Sequence, residues 1–179
     1  MSEAIRLTTP IDERTARGLR AGDRVLLSGV IWTGRDAAHK RLIALLDAGE
    51  ALPLSLRDQA IYFVGPCPAK PGEVIGSAGP TTSGRMDAYS PRLMRECGLR
   101  AMIGKGERNA NVVEAMRECG GVYFAATGGA GALIAKCIVS ARVVAFPELG
   151  PEAIYQLEVR DFPLVVAIDS TGGNLFERA

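Results

Sequence analysis

Three short stretches of the chain set a cation among glycines: Thr33-Gly34-Arg35-Asp36, Gly79-Pro80-Thr81-Thr82-Ser83-Gly84-Arg85-Met86-Asp87 and Ile103-Gly104-Lys105-Gly106-Glu107-Arg108. A guanidinium grips a carboxylate through two parallel hydrogen bonds, and an ammonium adds a point charge. Glycine lets backbone N–H groups close on the same anion. If the three turns converge, Arg35, Arg85 and Lys105 form a compact anion site. Taken singly, each is equally an ordinary solvated charge. Thr81 offers a hydroxyl beside them, although on its own it reads as a loop threonine that caps a turn. The Gly-Lys-Gly turn lacks the G-x-x-x-x-G-K-[ST] spacing, which argues against a nucleotide P-loop. Gly128-Gly129-Ala130-Gly131 has the composition to cradle an anion, but close packing of a strand on a helix explains it equally well.

The metal-ligating residues point the other way. Cys67, Cys97, Cys119 and Cys137 are separated by 30, 22 and 18 positions. None of these is the C-x-x-C spacing that pre-organises a metal site, and His39 is the one histidine. The expectation is four buried thiols, and a metal-dependent activity would borrow its metal from another chain. His39, on the first turn of its helix, reads as a polar surface or supporting residue rather than a catalyst.

The 21 basic and 20 acidic residues nearly cancel to a net charge of +1, so nothing favours nucleic acid or an anionic membrane as partner. Hydrophobic residues make up 47% and charged residues 23% of the 179, as expected for one compact globular domain. Apolar runs such as residues 121–126 and 164–168 are far too short to cross a bilayer. Met1-Ser2-Glu3-Ala4 has no apolar core of a secretory signal, and a cytoplasmic address is expected.

Elements must carry these turns. Residues 5–23 read as an extended lead-in followed by a short turn or helix, and residues 24–33 as a strand rich in β-branched and apolar side chains. Asp36 is the expected N-cap of a helix that puts Leu42, Ile43, Leu45 and Leu46 on one side and ends at Gly49. Strands are expected at residues 60–64, 101–103, 122–126 and 143–146. Pro71-Gly72 marks a turn between hairpin-like extended pieces. Ser90-Pro91 should cap and start a helix ending at Gly98. Further helices are expected over residues 107–119 and 130–140, with two closing strands at 154–158 and 164–169. Strands alternating with helices indicate an α/β domain with a mixed, partly parallel central sheet, whose ligands sit at the turns following the strands.

The same strings resemble a known family. Gly34-Arg35-Asp36-Ala37-Ala38-His39-Lys40, the Gly-Pro-Thr-Thr-x-x-Arg-Met block of residues 79–86 and Met102-Ile103-Gly104-Lys105-Gly106 look like the C-terminal domain of class I (iron–sulfur) fumarases, as does Ala145-Phe146-Pro147-Glu148-Leu149-Gly150-Pro151-Glu152-Ala153-Ile154. The resemblance runs over nearly the whole chain. It implies a swivelling β/β/α domain standing alone as a beta subunit. A partner alpha subunit would carry the four-iron, four-sulfur cluster on three cysteines. The related L-tartrate dehydratase is divided in the same way. In the family one iron acts as a Lewis acid on the substrate. The resemblance further implies that Arg35, Arg85 and Lys105 bind substrate carboxylates and that Thr81 exchanges the proton at the reacting carbon. Thr82 is expected to point away and cap its own loop. The expected function is reversible hydration of fumarate to L-malate. The rivals are L-tartrate dehydration, which the continuation Ser83-Gly84-Arg85-Met86-Asp87-Ala88-Tyr89 favours less, and a non-catalytic anion-binding module.

Overall fold

The computed structural model describes residues 3–126 and 131–178. The Gly128-Gly129-Ala130 cradle considered above lies outside them. Strand β1 (Ile5–Thr8) pairs in parallel with β2 (Arg24–Thr33), so the lead-in already belongs to the sheet. Between them α1 (Glu13–Gly18) is capped by Asp12, whose carboxylate accepts from the Thr15 N–H at 2.8 Å. After β2 come α2 (Asp36–Asp47), β3 (Ala60–Tyr62), α3 (Ser90–Cys97), β4 (Ala101–Gly104), α4 (Ala110–Cys119) and β5 (Val122–Ala126). The chain ends with α5 (Gly131–Ala135), β6 (Ile138–Ala145) and β7 (Ile154–Ile168).

The strand order is β1-β2-β3-β4-β5-β7-β6, and an added β2–β7 pairing closes β2, β3, β4, β5 and β7 into a barrel-like ring. Pairings from β1 to β5 are parallel, and those of β7 with β2, β5 and β6 are antiparallel. The sheet is therefore mixed. Short parallel strands here are buried on both faces, which period-2 alternation explains directly. Ala60, Tyr62, Ala101, Ile103, Val122 and Phe124 face an inner cluster that α1 and α5 help to close. Ile61, Met102 and Tyr123 face the second cluster, under α2, α3 and α4.

Several local expectations need correction. The helix expected over residues 130–140 is only the short α5, because Ile138, Val139, Val143 and Val144 are β-branched and belong to β6, which pairs with β7. The two closing strands are one: β7 runs 15 residues through a positive-φ kink at Asp161. Helix α4 starts at Ala110 rather than 107, since Asn109 caps it by accepting from the Val112 N–H at 3.0 Å. Neither Asp36 nor Ser90 is an N-cap. Each is the first residue of its helix, after Arg35 and Tyr89. The cysteines are not buried thiols either. Cys67 is exposed in a loop and the other three are half-buried at the outer ends of elements.

Candidate functional site

Because β2, β3, β4 and β5 run parallel, their carboxyl ends share one rim. Arg35 follows β2, Gly65 lies just beyond β3, and Lys105 follows β4. Residues 77–87 cross this rim and are pinned to it by backbone hydrogen bonds. The Thr81 N–H donates to the Phe63 carbonyl at 2.7 Å and the Ser83 N–H to the Lys105 carbonyl at 2.8 Å. Thr82 bridges Lys105 in strand fashion. A short 3₁₀ turn, Ser83–Met86, then carries Arg85 back over α2.

The close approach of this segment to β4 requires glycine. A Cβ on Gly104 would collide with Ser83 Oγ and lie 2.9 Å from the Phe63 ring. On Gly65 a Cβ would lie 2.9 Å from both Cδ and Nη1 of Arg35. The Arg35 side chain therefore rests on the backbone at the end of β3. A cavity of about 410 Å³ opens at the same rim, lined by Gly65, Cys67, Ser77, Gly79, Pro80 and Lys105 and reaching the end of β5 at Ala126. Its size suits a small organic anion.

The four residues singled out from sequence are placed as follows. Lys105 is exposed and lines the cavity. Arg35 packs on Gly65 beside it. Arg85 does not line it, and its Nη2 pairs with Asp36 Oδ2 at 2.6 Å across the rim. Thr81 is half-buried, with its main chain fixed as above. Asp36, read as a cap, is thus an ion-pair partner. Thr82 makes no side-chain cap bond and is exposed, so the capping role expected of it is not found.

A buried polar network beneath the crossing segment escaped the sequence reading. Arg108 is 6% exposed. Its Nε donates to Asp87 Oδ1 at 2.6 Å and its Nη2 to Ser90 Oγ at 2.8 Å, and its guanidinium lies 5.2 and 4.9 Å from the Phe63 and Tyr123 ring centres. Asp87 Oδ2 also accepts from the Asn109 N–H at 2.7 Å. The Tyr123 hydroxyl is 2.7 Å from Ser83 Oγ and 2.8 Å from the Gly106 carbonyl. With one proton it donates to the carbonyl, and the Ser83 hydroxyl donates to it. Buried charges are tolerated only when paired in this way. The sequence signal was present: Asp87 and Arg108 end two of the three cation-bearing strings.

His39 is fully buried rather than at the surface. Its ring packs at 5.5 Å from Phe63 and 5.8 Å from Tyr89. Burial pushes the imidazole pKa down to about 4, with the Arg108 charge adding to this and the Arg35 carbonyl opposing it. The folded pKa therefore lies below the unfolded value of 6.5. As pH falls below 6.5 the unfolded chain takes up the proton first. The stability held above pH 6.5 is then lost progressively, down to about pH 4. Urea unfolding of the full chain should show this loss, and His39→Asn should lack that part of the slope. A wild-type midpoint with the same pH dependence as the variant would contradict it.

The family model described as "Fumarase C-terminus" matches residues 1–179. The chain belongs to that fumarase C-terminal family. It is 42% identical over 156 residues to "Fumarate hydratase class I, aerobic" of Escherichia coli (strain K12), covering 87% of this chain and 28% of that protein. It is 36% identical over 180 residues to "Fumarate hydratase 2" of Leishmania major, covering 99% and 32%. With a Methanocaldococcus jannaschii chain whose name proposes it as an L(+)-tartrate dehydratase subunit beta, identity is 38% over 172 residues, covering 93% and 88%. The chain thus spans about a third or less of the fumarate hydratases it matches, and most of the beta-subunit relative.

An iron–sulfur cluster does not fit the donors among the described residues. Among the described residues no group of three or more His, Cys, Asp or Glu side chains could hold a metal ion. Cys97 and Cys119 end α3 and α4 while Cys67 and Cys137 lie between elements, and partial burial pushes the pKa of Cys97, Cys119 and Cys137 up, away from the thiolate that binds metal. No helix among the described residues is long and apolar enough to cross a membrane.

Proposed function

We propose that this fumarase C-terminal chain is the beta subunit of a cytoplasmic hydro-lyase that reversibly hydrates fumarate to L-malate. Its partner is an alpha subunit bearing a four-iron, four-sulfur cluster. The observation that carries this reading is the rim itself, where a family member brings two arginines, a lysine and a pinned threonine to one edge of the sheet. Arg35, Arg85 and Lys105 hold the substrate's carboxylates, the arginines through paired N–H donors. Thr81 takes or returns the proton at the carbon beside the one that gains or loses hydroxide. A threonine hydroxyl is a very weak acid. Neighbouring cations in a water-poor site lower the cost of its alkoxide, which gives Lys105 and Arg85 a second role.

L-tartrate dehydration is the second reading, favoured by the beta-subunit relative, of which the chain covers 88%. Both are tested by co-expression with a candidate cluster-bearing chain, anaerobic reconstitution, and assays of fumarate, malate and tartrate. The full chain alone is expected to contain no stoichiometric iron and to hydrate nothing. Iron–sulfur absorbance in the purified lone chain would overturn the division of labour. A loaded complex inert toward all three substrates would leave the non-catalytic anion-binding module as the reading.

A further inference from the structure

Five buried side-chain polar atoms among the described residues lack a hydrogen-bond partner, and three of them, Arg35 Nε, Asp36 Oδ1 and His39 Nε2, fall within five consecutive residues. One proposed substrate arginine, Arg35, caps α2, and Asp36 in its first turn holds another, Arg85. His39 is the interior member of that turn. Its backbone N–H donates to the Arg35 carbonyl at 3.0 Å, and its ring Nδ1 lies 2.8 Å from the same oxygen. A carbonyl only accepts, so Nδ1 carries the proton and the imidazole is the Nδ1–H tautomer, with Nε2 a bare acceptor. Both lone pairs of the Arg35 carbonyl are then engaged by one residue.

A residue serving only to fill this space would be apolar. The site is walled by Phe63 and Tyr89, with Gly34 against the ring, where a Cβ would meet His39 Cε1 at 3.4 Å. A phenylalanine or leucine would pack there without leaving a buried nitrogen unpaired, a state with a real free-energy cost. The ring nitrogen instead holds the backbone from which Arg35 reaches across Gly65. We propose that His39 is a positioning residue for Arg35: its neutral Nδ1–H tautomer clamps the Arg35 carbonyl and so sets the direction of that guanidinium toward the dicarboxylate. This rests on the proposed role of Arg35 in the hydro-lyase.

The charged and titratable groups around the ring are Asp36 on the same helix, Arg108 from the segment before α4, and Tyr89 from the segment before α3. The depressed imidazole pKa keeps the ring neutral, so the clamp persists across the physiological range.

Because the chain has one histidine, ¹⁵N-histidine labelling of the full chain gives an unambiguous spectrum. At pH 7 it should show a protonated Nδ1 and an unprotonated Nε2. An Nε2–H tautomer overturns the proposal whether or not the chain proves to be a hydro-lyase subunit. In the reconstituted complex, His39→Leu should lower kcat/KM for fumarate about a hundredfold, the scale of a misplaced binding group, mainly through KM. His39→Asn, whose amide N–H can occupy the place of Nδ1–H, should recover most of that loss. In an Arg35→Met background His39→Leu should cost nothing further, because the two act as one unit. An equal loss in both backgrounds would make His39 merely structural. If the wild-type complex hydrates no substrate, the functional reading fails while the tautomer result still decides the clamp.

Discussion

Thr81→Ala is expected to lower kcat about a hundredfold or more, the scale of a lost general acid or base, with KM for fumarate and malate nearly unchanged. The local structure makes this a clean deletion. The Thr81 N–H is held by the Phe63 carbonyl, and the next two residues are tied to Lys105. Removing one hydroxyl therefore leaves the path of the segment intact. Thr82→Ala is the control. Its hydroxyl caps nothing and is exposed, so stability should change by no more than about 0.5 kcal/mol, and kcat should hold. Exchange of the malate C3 proton with deuterated solvent isolates proton transfer from hydroxide loss. Wild-type exchange in Thr81→Ala would assign the base to another group, including one on the partner subunit.

The parts of this fold that local pattern governs were legible in the sequence. Residues 24–33 are rich in β-branched and apolar side chains and residues 122–126 are an unbroken apolar run, and both are strands over those residues. Gly98 ends α3 in the left-handed conformation as expected, because only glycine adopts it without strain. What failed depends on partners distant in sequence. Residues 159–163, Val-Arg-Asp-Phe-Pro, show no alternation, yet β7 passes through them because β2 holds its other edge, with Asp161 N–H donating to Ser28 Oγ at 3.0 Å. Asp36 had the residue type of a cap, but Arg85, nearly 50 positions away, takes its carboxylate. The burial of His39 was missed and Arg108 was passed over for the same reason. Pattern says how often such residues are exposed, and only the assembled fold says that Asp87, Ser90, Phe63 and Tyr89 surround them. Two of the cation-bearing turns, at Arg35 and Lys105, were readable as sharing a rim, since parallel strands put successive carboxyl ends on one side. Arg85, by contrast, arrives on a crossing segment held by contacts distant in sequence.

Arg85→Met should lower kcat/KM for the dicarboxylate about 30- to 1,000-fold, the equivalent of a desolvated bidentate contact worth about 2–4 kcal/mol. The fold should hardly notice. Arg85 is 59% exposed at its side chain, and its contact with Asp36 is a half-exposed ion pair. Such pairs contribute about 0–1 kcal/mol, so the urea midpoint of the lone chain should shift little. The two measurements together separate capture from folding. Under the proposed function, Asp36 and the incoming carboxylate would compete for one guanidinium in the free chain, and burial of the substrate against a partner subunit would tip that competition, because the same charge pair strengthens as water leaves. Arg85→Lys keeps the charge but loses the fork, and should fall between wild type and Arg85→Met. An Arg85→Met complex with wild-type kcat/KM would mean that Arg85 belongs to Asp36 alone, and that Arg35 and Lys105 hold the substrate without it.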